Sequence, residues 1–120
     1  MAHILVAEDD PAVRDFVSRA LEAHGHTVDA APDGGAALEV LQSGNFDLLL
    51  TDILMPVMDG IALALAASSA RPDMPILMMT GYSAQKERAH NLDALIHDVL
   101  LKPFNLVLCI TLSDVLRFVL

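Results

Sequence analysis

Positive charge is the first thing this sequence is short of: seven Lys and Arg stand against sixteen Asp and Glu, a formal charge of −9. Such a surface repels a phosphate backbone, so direct nucleic-acid binding is not expected. Cysteine is nearly absent too. The single Cys109 lies in an apolar run, has no second thiol to pair with, and reads as a reduced core residue of a cytoplasmic protein. No apolar stretch reaches the roughly 20 residues that a membrane-spanning helix needs. The longest, 106–120, is broken by Asp114 and Arg117 and reads as a helix packed on protein. Residues 1–10 turn acidic after a few apolar positions, without the basic start and long apolar core of a secretory signal, so neither export nor membrane insertion is expected. Internal repeats, low-complexity tracts and Gly/Ser-rich linkers are missing as well, and no tethered output module is expected.

What is present suits one compact domain over residues 1–120, with 54% hydrophobic and 19% charged residues giving ample surface to bury. Five short apolar runs, 3–7, 27–31, 47–51, 75–79 and 98–101, alternate with longer and mostly helical segments. That alternation predicts an α/β fold with a doubly wound, five-stranded parallel sheet covered on both faces. Ile4-Leu5-Val6 and Leu48-Leu49-Leu50 are continuous, as central strands should be, whereas 27–31 alternates and suits an edge. Asp10 and Pro11 predict the start of a first helix carrying Val13, Phe16, Val17, Ala20 and Leu21, ended by His24 and Gly25. A second helix is predicted from about Gly34 to Gln42, and a third that follows Asp59 and Gly60 and stops before Pro72. Between residues 83 and 97 a short or irregular helix is expected, and from Asn105 a last helix that is apolar all round.

In such a sheet, ligands bind beyond the carboxyl ends of the strands. Those ends carry Glu8, Asp9 and Asp10 after the first strand, Asp52 at the third, Thr80 at the fourth, and Lys102 with Pro103 after the fifth. Carboxylates gathered at one rim repel one another and call for a cation. Mg²⁺, which favours hard oxygen ligands and completes its shell with water and phosphate oxygens, suits the set. Lys102 adds a movable positive charge, Asp52 can serve as nucleophile toward a phosphoryl group, and the Thr80 hydroxyl can turn toward a phosphoryl oxygen. Taken singly, each residue also has an ordinary role as a cap, a turn or a solvated loop residue. Asp10 is read as a helix cap, and His3, His24, His26, His90 and His97 as surface or turn residues. The methionines are mostly core filler. The joint pattern is what points to chemistry.

That pattern, in Ile4-Leu5-Val6-Ala7-Glu8-Asp9-Asp10, Asp52-Ile53-Leu54-Met55-Pro56-Val57-Met58-Asp59-Gly60, Thr80-Gly81 and Lys102-Pro103-Phe104, resembles the CheY-like response-regulator receiver family. Stand-alone receivers of the CpdR type look especially similar. The resemblance implies a flavodoxin-like receiver fold of strand order 2-1-3-4-5 with Asp52 as phosphoacceptor. It further implies Glu8, Asp9, Asp52 and the backbone carbonyl of Leu54 as Mg²⁺ ligands, and Thr80 and Lys102 in switch and phosphate-contact roles. The implied donor is a phosphohistidine of a sensor histidine kinase or histidine phosphotransfer protein, and the implied output is a protein the sequence does not identify.

Two positions depart from the family. Val99 stands where an aromatic switch residue is usual, and the poorly patterned 83–97 segment leaves the usual output face in doubt. Leu54 and Tyr82 are expected to shield the phosphoryl group from water, and the all-round apolar 98–120 face to serve a homodimer or a partner protein. The chain is read as a phosphoacceptor signalling domain rather than an enzyme. Two alternatives are a phosphorylation-independent interaction scaffold and a Mg²⁺-dependent phosphohydrolase. Against the latter, Leu54 stands where a phosphohydrolase's second acid is normally found.

Overall fold

The computed structural model describes residues 2–53, 55–80 and 98–101. The apolar runs form five strands, β1 (His3–Ala7), β2 (Thr27–Ala31), β3 (Leu48–Asp52), β4 (Ile76–Thr80) and β5 (Asp98–Leu101). All neighbouring pairs are parallel, and the order is β2-β1-β3-β4-β5. Among the described residues three helices connect them, α1 (Pro11–Ala23), α2 (Gly34–Ser43) and α3 (Gly60–Ala70). None is long and apolar enough to cross a membrane.

Successive strand residues point to opposite faces, and both faces are buried. Ile4, Val6, Leu48, Leu50, Leu77 and Met79 pack with Val17 and Leu21 of α1. Leu5, Ala7, Leu49, Ile76 and Met78 pack instead with Ala37 and Leu41 of α2 and Leu63, Ala64 and Ala67 of α3. This explains the unbroken apolar reading of β1 and β3: each fully buried Leu or Ile contributes about 1.5–3 kcal/mol, on whichever face it falls. At the sheet edge, β2 exposes Thr27, Asp29 and Ala30 and buries only Ala31.

Each helix starts on an acidic cap. Asp10 accepts from the N–H groups of Ala12 and Val13 and is followed by Pro11, whose missing N–H costs nothing at a first position. Asp33 and Asp59 do the same for α2 and α3, through Ala36 and Ala62. α1 ends where Gly25 takes φ 90°, while the His26 N–H returns to the Leu21 carbonyl at 3.2 Å. The end of α2 is held by Arg71, which donates to the carbonyls of Leu41 and Gly44 and to Asn45 Oδ1. One guanidinium thus satisfies orphan carbonyls at a helix C-terminus and ties α2 to the end of α3.

Two strands are shifted by one residue from expectation, β3 running 48–52 rather than 47–51 and β4 76–80 rather than 75–79, and α2 ends at Ser43 rather than Gln42. Asp47 spends its side chain on the His3 N–H, at 2.9 Å, outside the ladder. Pro75 has no N–H and enters only as acceptor from Leu49. His3, read as a surface or turn residue, keeps a partly exposed side chain but makes contacts that the sequence did not reveal. It lies in β1, half-buried, with Nδ1 2.8 Å from the Asn45 carbonyl, Nε2 3.1 Å from the Asp29 carboxylate and its ring 4.3 Å from that of Phe46. The segment 83–97, the helix expected from Asn105 and the side chains of the 98–120 face lie outside the described residues, as do His90 and His97.

Candidate functional site

The register of β1 on β3 builds the site. Ala7 stands opposite Thr51, so Glu8, the next residue, leaves the sheet beside Asp52, the last residue of β3. One carboxylate oxygen from each of Glu8, Asp9 and Asp52 lies within 4.8 Å of the others. Glu8 and Asp52 are 1% and 7% exposed, which puts two of these acids in a poorly solvated rim, while Asp9 is open to solvent.

Backbone contacts hold the two buried acids. The Glu8 N–H donates to the Ala31 carbonyl of β2 at 3.0 Å, and Glu8 Oε1 accepts from the Asp10 N–H at 3.2 Å. Asp52 Oδ1 accepts from the Ile53 N–H at 2.7 Å, and the Asp52 carbonyl accepts from the buried Thr51 hydroxyl at 2.9 Å. The loop after Asp52 threads between two helix starts that only glycine permits. A Cβ at Gly60 would stand 1.9 Å from the Asp52 carbonyl oxygen, and one at Gly34 would stand 2.2 Å from the Met58 carbonyl oxygen. Within that loop Val57 adopts φ 69°, a left-handed conformation rare for a β-branched residue, with its side chain 87% exposed.

Of the residues selected from sequence, Glu8, Asp9 and Asp52 are brought together. Asp10 is engaged as the α1 cap, as expected. Thr80 ends β4 and pairs with Leu101, the residue before Lys102. The Thr80 side chain, Leu54, Tyr82 and Lys102 lie outside the described residues. A residue not singled out from sequence also reaches the rim: Arg14 donates from Nη1 to the Glu8 carbonyl at 2.9 Å. The available signal was its place four residues after the Asp10 cap, on the turn of α1 nearest the acids. A cavity of about 330 Å³ lined by Phe46, Asp47, Arg71 and Met74 belongs to the opposite, amino-terminal end of the strands and takes no part in the site.

A donor set of three converging carboxylates, two of them on buried residues, fits a hard divalent ion such as Mg²⁺. Comparison with known proteins agrees in fold and family. The profile of the response regulator receiver domain matches residues 4–111. The chain is 44% identical over 106 residues to the response regulator receiver protein CpdR of Brucella abortus, covering 88% of each. It is 43% identical over 103 residues to the response regulator MprA of Mycobacterium ulcerans, covering 86% of this chain and 44% of MprA, so it spans less than half the length of that relative. Among solved structures, chemotaxis response regulator CheY4 of Vibrio cholerae superposes with a TM-score of 0.87 at 34% identity, over 96% of this chain and 98% of its own. Response regulator TrrA of Thermotoga maritima, solved in complex with Mg(2+)-BeF, gives 0.88 at 29% identity over 96% and 99%. With the strand order, the convergent acids and the sequence match in agreement, the chain belongs to the response regulator receiver domain family of two-component signalling.

Proposed function

We propose that this chain accepts a phosphoryl group on Asp52 in a Mg²⁺-dependent reaction and passes the signal on by altering a protein-binding surface. The observation that carries this reading is the meeting of the Glu8, Asp9 and Asp52 carboxylates within 4.8 Å at the carboxyl ends of β1 and β3. Glu8, Asp9 and Asp52, with the backbone carbonyl of Leu54, would hold the ion, which when bound offsets charge developing on the phosphoryl oxygens. The TrrA complex supports that fit.

The chain's own residues supply the remainder. A carboxylate oxygen of Asp52 attacks phosphorus, the P–N bond to the donor's histidine breaks, the electron pair returns to the imidazole, and a mixed acyl phosphate is left on Asp52. The Ile53 N–H, 2.7 Å from Oδ1, fixes the rotation of that carboxylate for in-line attack. Lys102 contacts the transferred group, and the Thr80 hydroxyl turns toward a phosphoryl oxygen and carries the following loop with it. The donor is the phosphohistidine of a sensor histidine kinase or phosphotransfer protein. In this reading the receiver acts in the cytoplasm through an output protein; the likeness to the response regulator receiver protein CpdR along 88% of both chains supports the receiver role.

The test is intact mass after incubation with Mg²⁺ and a small phosphodonor such as acetyl phosphate. The native chain gains one phosphoryl group, and chelation of Mg²⁺ or the substitution Asp52→Asn abolishes the gain. An adduct that persists on Asp52→Asn, or a native chain that never acquires one, overturns the reading. Turnover of a simple phosphomonoester would favour a hydrolase instead.

A further inference from the structure

We propose that Arg14 is a positioning residue for the metal-binding acids, acting through the backbone of the β1–α1 turn; this rests on the Mg²⁺-dependent reading above. Three consecutive carboxylates, Glu8, Asp9 and Asp10, occupy that turn, and Asp52 faces it, so mutual repulsion acts to splay the segment. Asp9 is the acid least secured by its own side chain. It is exposed, and among the described residues no hydrogen bond reaches its carboxylate, so its place in the cluster depends on its backbone.

That backbone is closed into a ring. The Arg14 N–H donates to the Asp10 carbonyl at 2.9 Å as part of α1, and the Arg14 guanidinium reaches back to the Glu8 carbonyl, also at 2.9 Å. On the other side, the Asp10 N–H donates to Glu8 Oε1, and the Asp10 carboxylate caps Ala12 and Val13. Because the peptide unit is planar, holding the Glu8 carbonyl fixes the plane of the Glu8–Asp9 bond and hence the direction in which Asp9 leaves it. A charged donor makes this one of the stronger hydrogen bonds available to a carbonyl.

The sign of the effect on Mg²⁺ affinity separates this role from a purely electrostatic one. A cation beside a metal site repels the metal, so if Arg14 acted only through its charge, removing it would tighten Mg²⁺ binding. If it positions the acids, removing it loosens binding. Isothermal titration with Mg²⁺ alone is made on the native chain, Arg14→Met, which keeps the apolar stem, Arg14→Lys, which keeps a charged donor, and Asp9→Asn. The expected result is a loss of roughly five- to tenfold in affinity for Arg14→Met, the size of one net hydrogen bond, with most of it recovered by Arg14→Lys. Metal-free amide exchange at Asp9 and Asp10 should quicken in Arg14→Met, while exchange in β4 does not. Arg14→Ala gives the same comparison if Arg14→Met does not fold. Unchanged or tighter Mg²⁺ binding in a folded Arg14 variant overturns the inference alone. A native chain that binds no Mg²⁺, or an Asp9→Asn chain that binds it equally well, overturns the underlying reading and the inference with it.

Discussion

A single methyl group at Gly60 tests how the phosphoacceptor is held. An ideal Cβ there would stand 1.9 Å from the Asp52 carbonyl oxygen and 2.8 Å from its carbon, where real contacts keep at least 3.0 Å, so the two segments must part by about 1.1 Å. Neither atom is the far end of a flexible side chain. Asp52 is paired in the sheet with Met79, and the Gly60 N–H is itself bonded to the Ile53 carbonyl at 2.8 Å. Gly60 does not adopt a positive φ, so Gly60→Ala meets no conformational penalty of its own and the effect is purely steric. Overpacking against unyielding neighbours costs up to about 3 kcal/mol, which for a domain of this size lowers Tm by roughly 9–18 °C. The same separation shifts Asp52 away from Glu8 and Asp9, so Mg²⁺ affinity should fall in chains that remain folded. Thermal unfolding followed by far-UV circular dichroism, with a Mg²⁺ titration at a temperature where both chains are folded, measures both. A Tm within about 2 °C of native, with unchanged Mg²⁺ binding, would refute the claim that this backbone contact sets the geometry of the site.

Two further substitutions probe strain and charge. Val57→Gly removes a left-handed β-branched residue whose side chain is 87% exposed; a gain of about 1–2 kcal/mol in relieved strain, less roughly 0.4–1 for the freer unfolded chain, leaves a net stabilisation that a denaturant titration resolves, and no rise in midpoint would show that the loop bears no strain there. His26 is held below its usual value by burial first, then by the amino-terminal charge and His24, and its Nδ1 accepts from the Ala2 N–H in the neutral form. Because the unfolded chain takes up the proton more readily, the contribution is complete above about pH 6.5 and is lost as pH falls toward and through the lower folded value. His26→Gln should therefore flatten the dependence of Tm on pH across that acidic window, and an identical slope in both chains would exclude His26 as its source.

Much of the fold was legible because parallel strands buried on both faces leave a coarse signature. Ile4-Leu5-Val6 and Leu48-Leu49-Leu50 announce strands, and Asp10 and Asp59 announce helix starts. The acid cluster followed from the same logic, since residues at the ends of adjacent parallel strands must meet. What could not be read is which face each residue takes. Leu5 and Leu49 go toward α2 and α3, while Ile4 and Leu48 go toward α1, and nothing in an unbroken apolar run distinguishes them. Side chains whose partners are backbone atoms or distant loops were also silent. Arg14 was not selected, because a bond to a backbone carbonyl leaves no more trace in the sequence than its place four residues after the Asp10 cap. His3 reads as surface because Asp29 and Asn45 come beside it only through the pairing of β1 with β2 and the return of the chain before β3.

The energetics of the acid rim explain why its supports are backbone contacts. At 4.8 Å, two ionised carboxylates repel by about 1 kcal/mol where water screens them, as at exposed Asp9, and by about 3–4 kcal/mol at an effective dielectric of 20, the better guide for the buried Glu8–Asp52 pair. The sum over the three pairs is on the order of 5 kcal/mol, comparable with the lower end of a domain's net stability. Side-chain pairing cannot offset this without occupying the oxygens that a metal and a phosphoryl group must reach. Contacts that leave those oxygens accessible can: the β1–β3 ladder, the Arg14 bond to the Glu8 carbonyl, and the close approach of Met58 to Gly34 and of Asp52 to Gly60. In the proposed reaction a bound divalent cation relieves that repulsion. The same arrangement therefore makes the free rim costly to hold and gives the cation a reason to bind before phosphorus arrives.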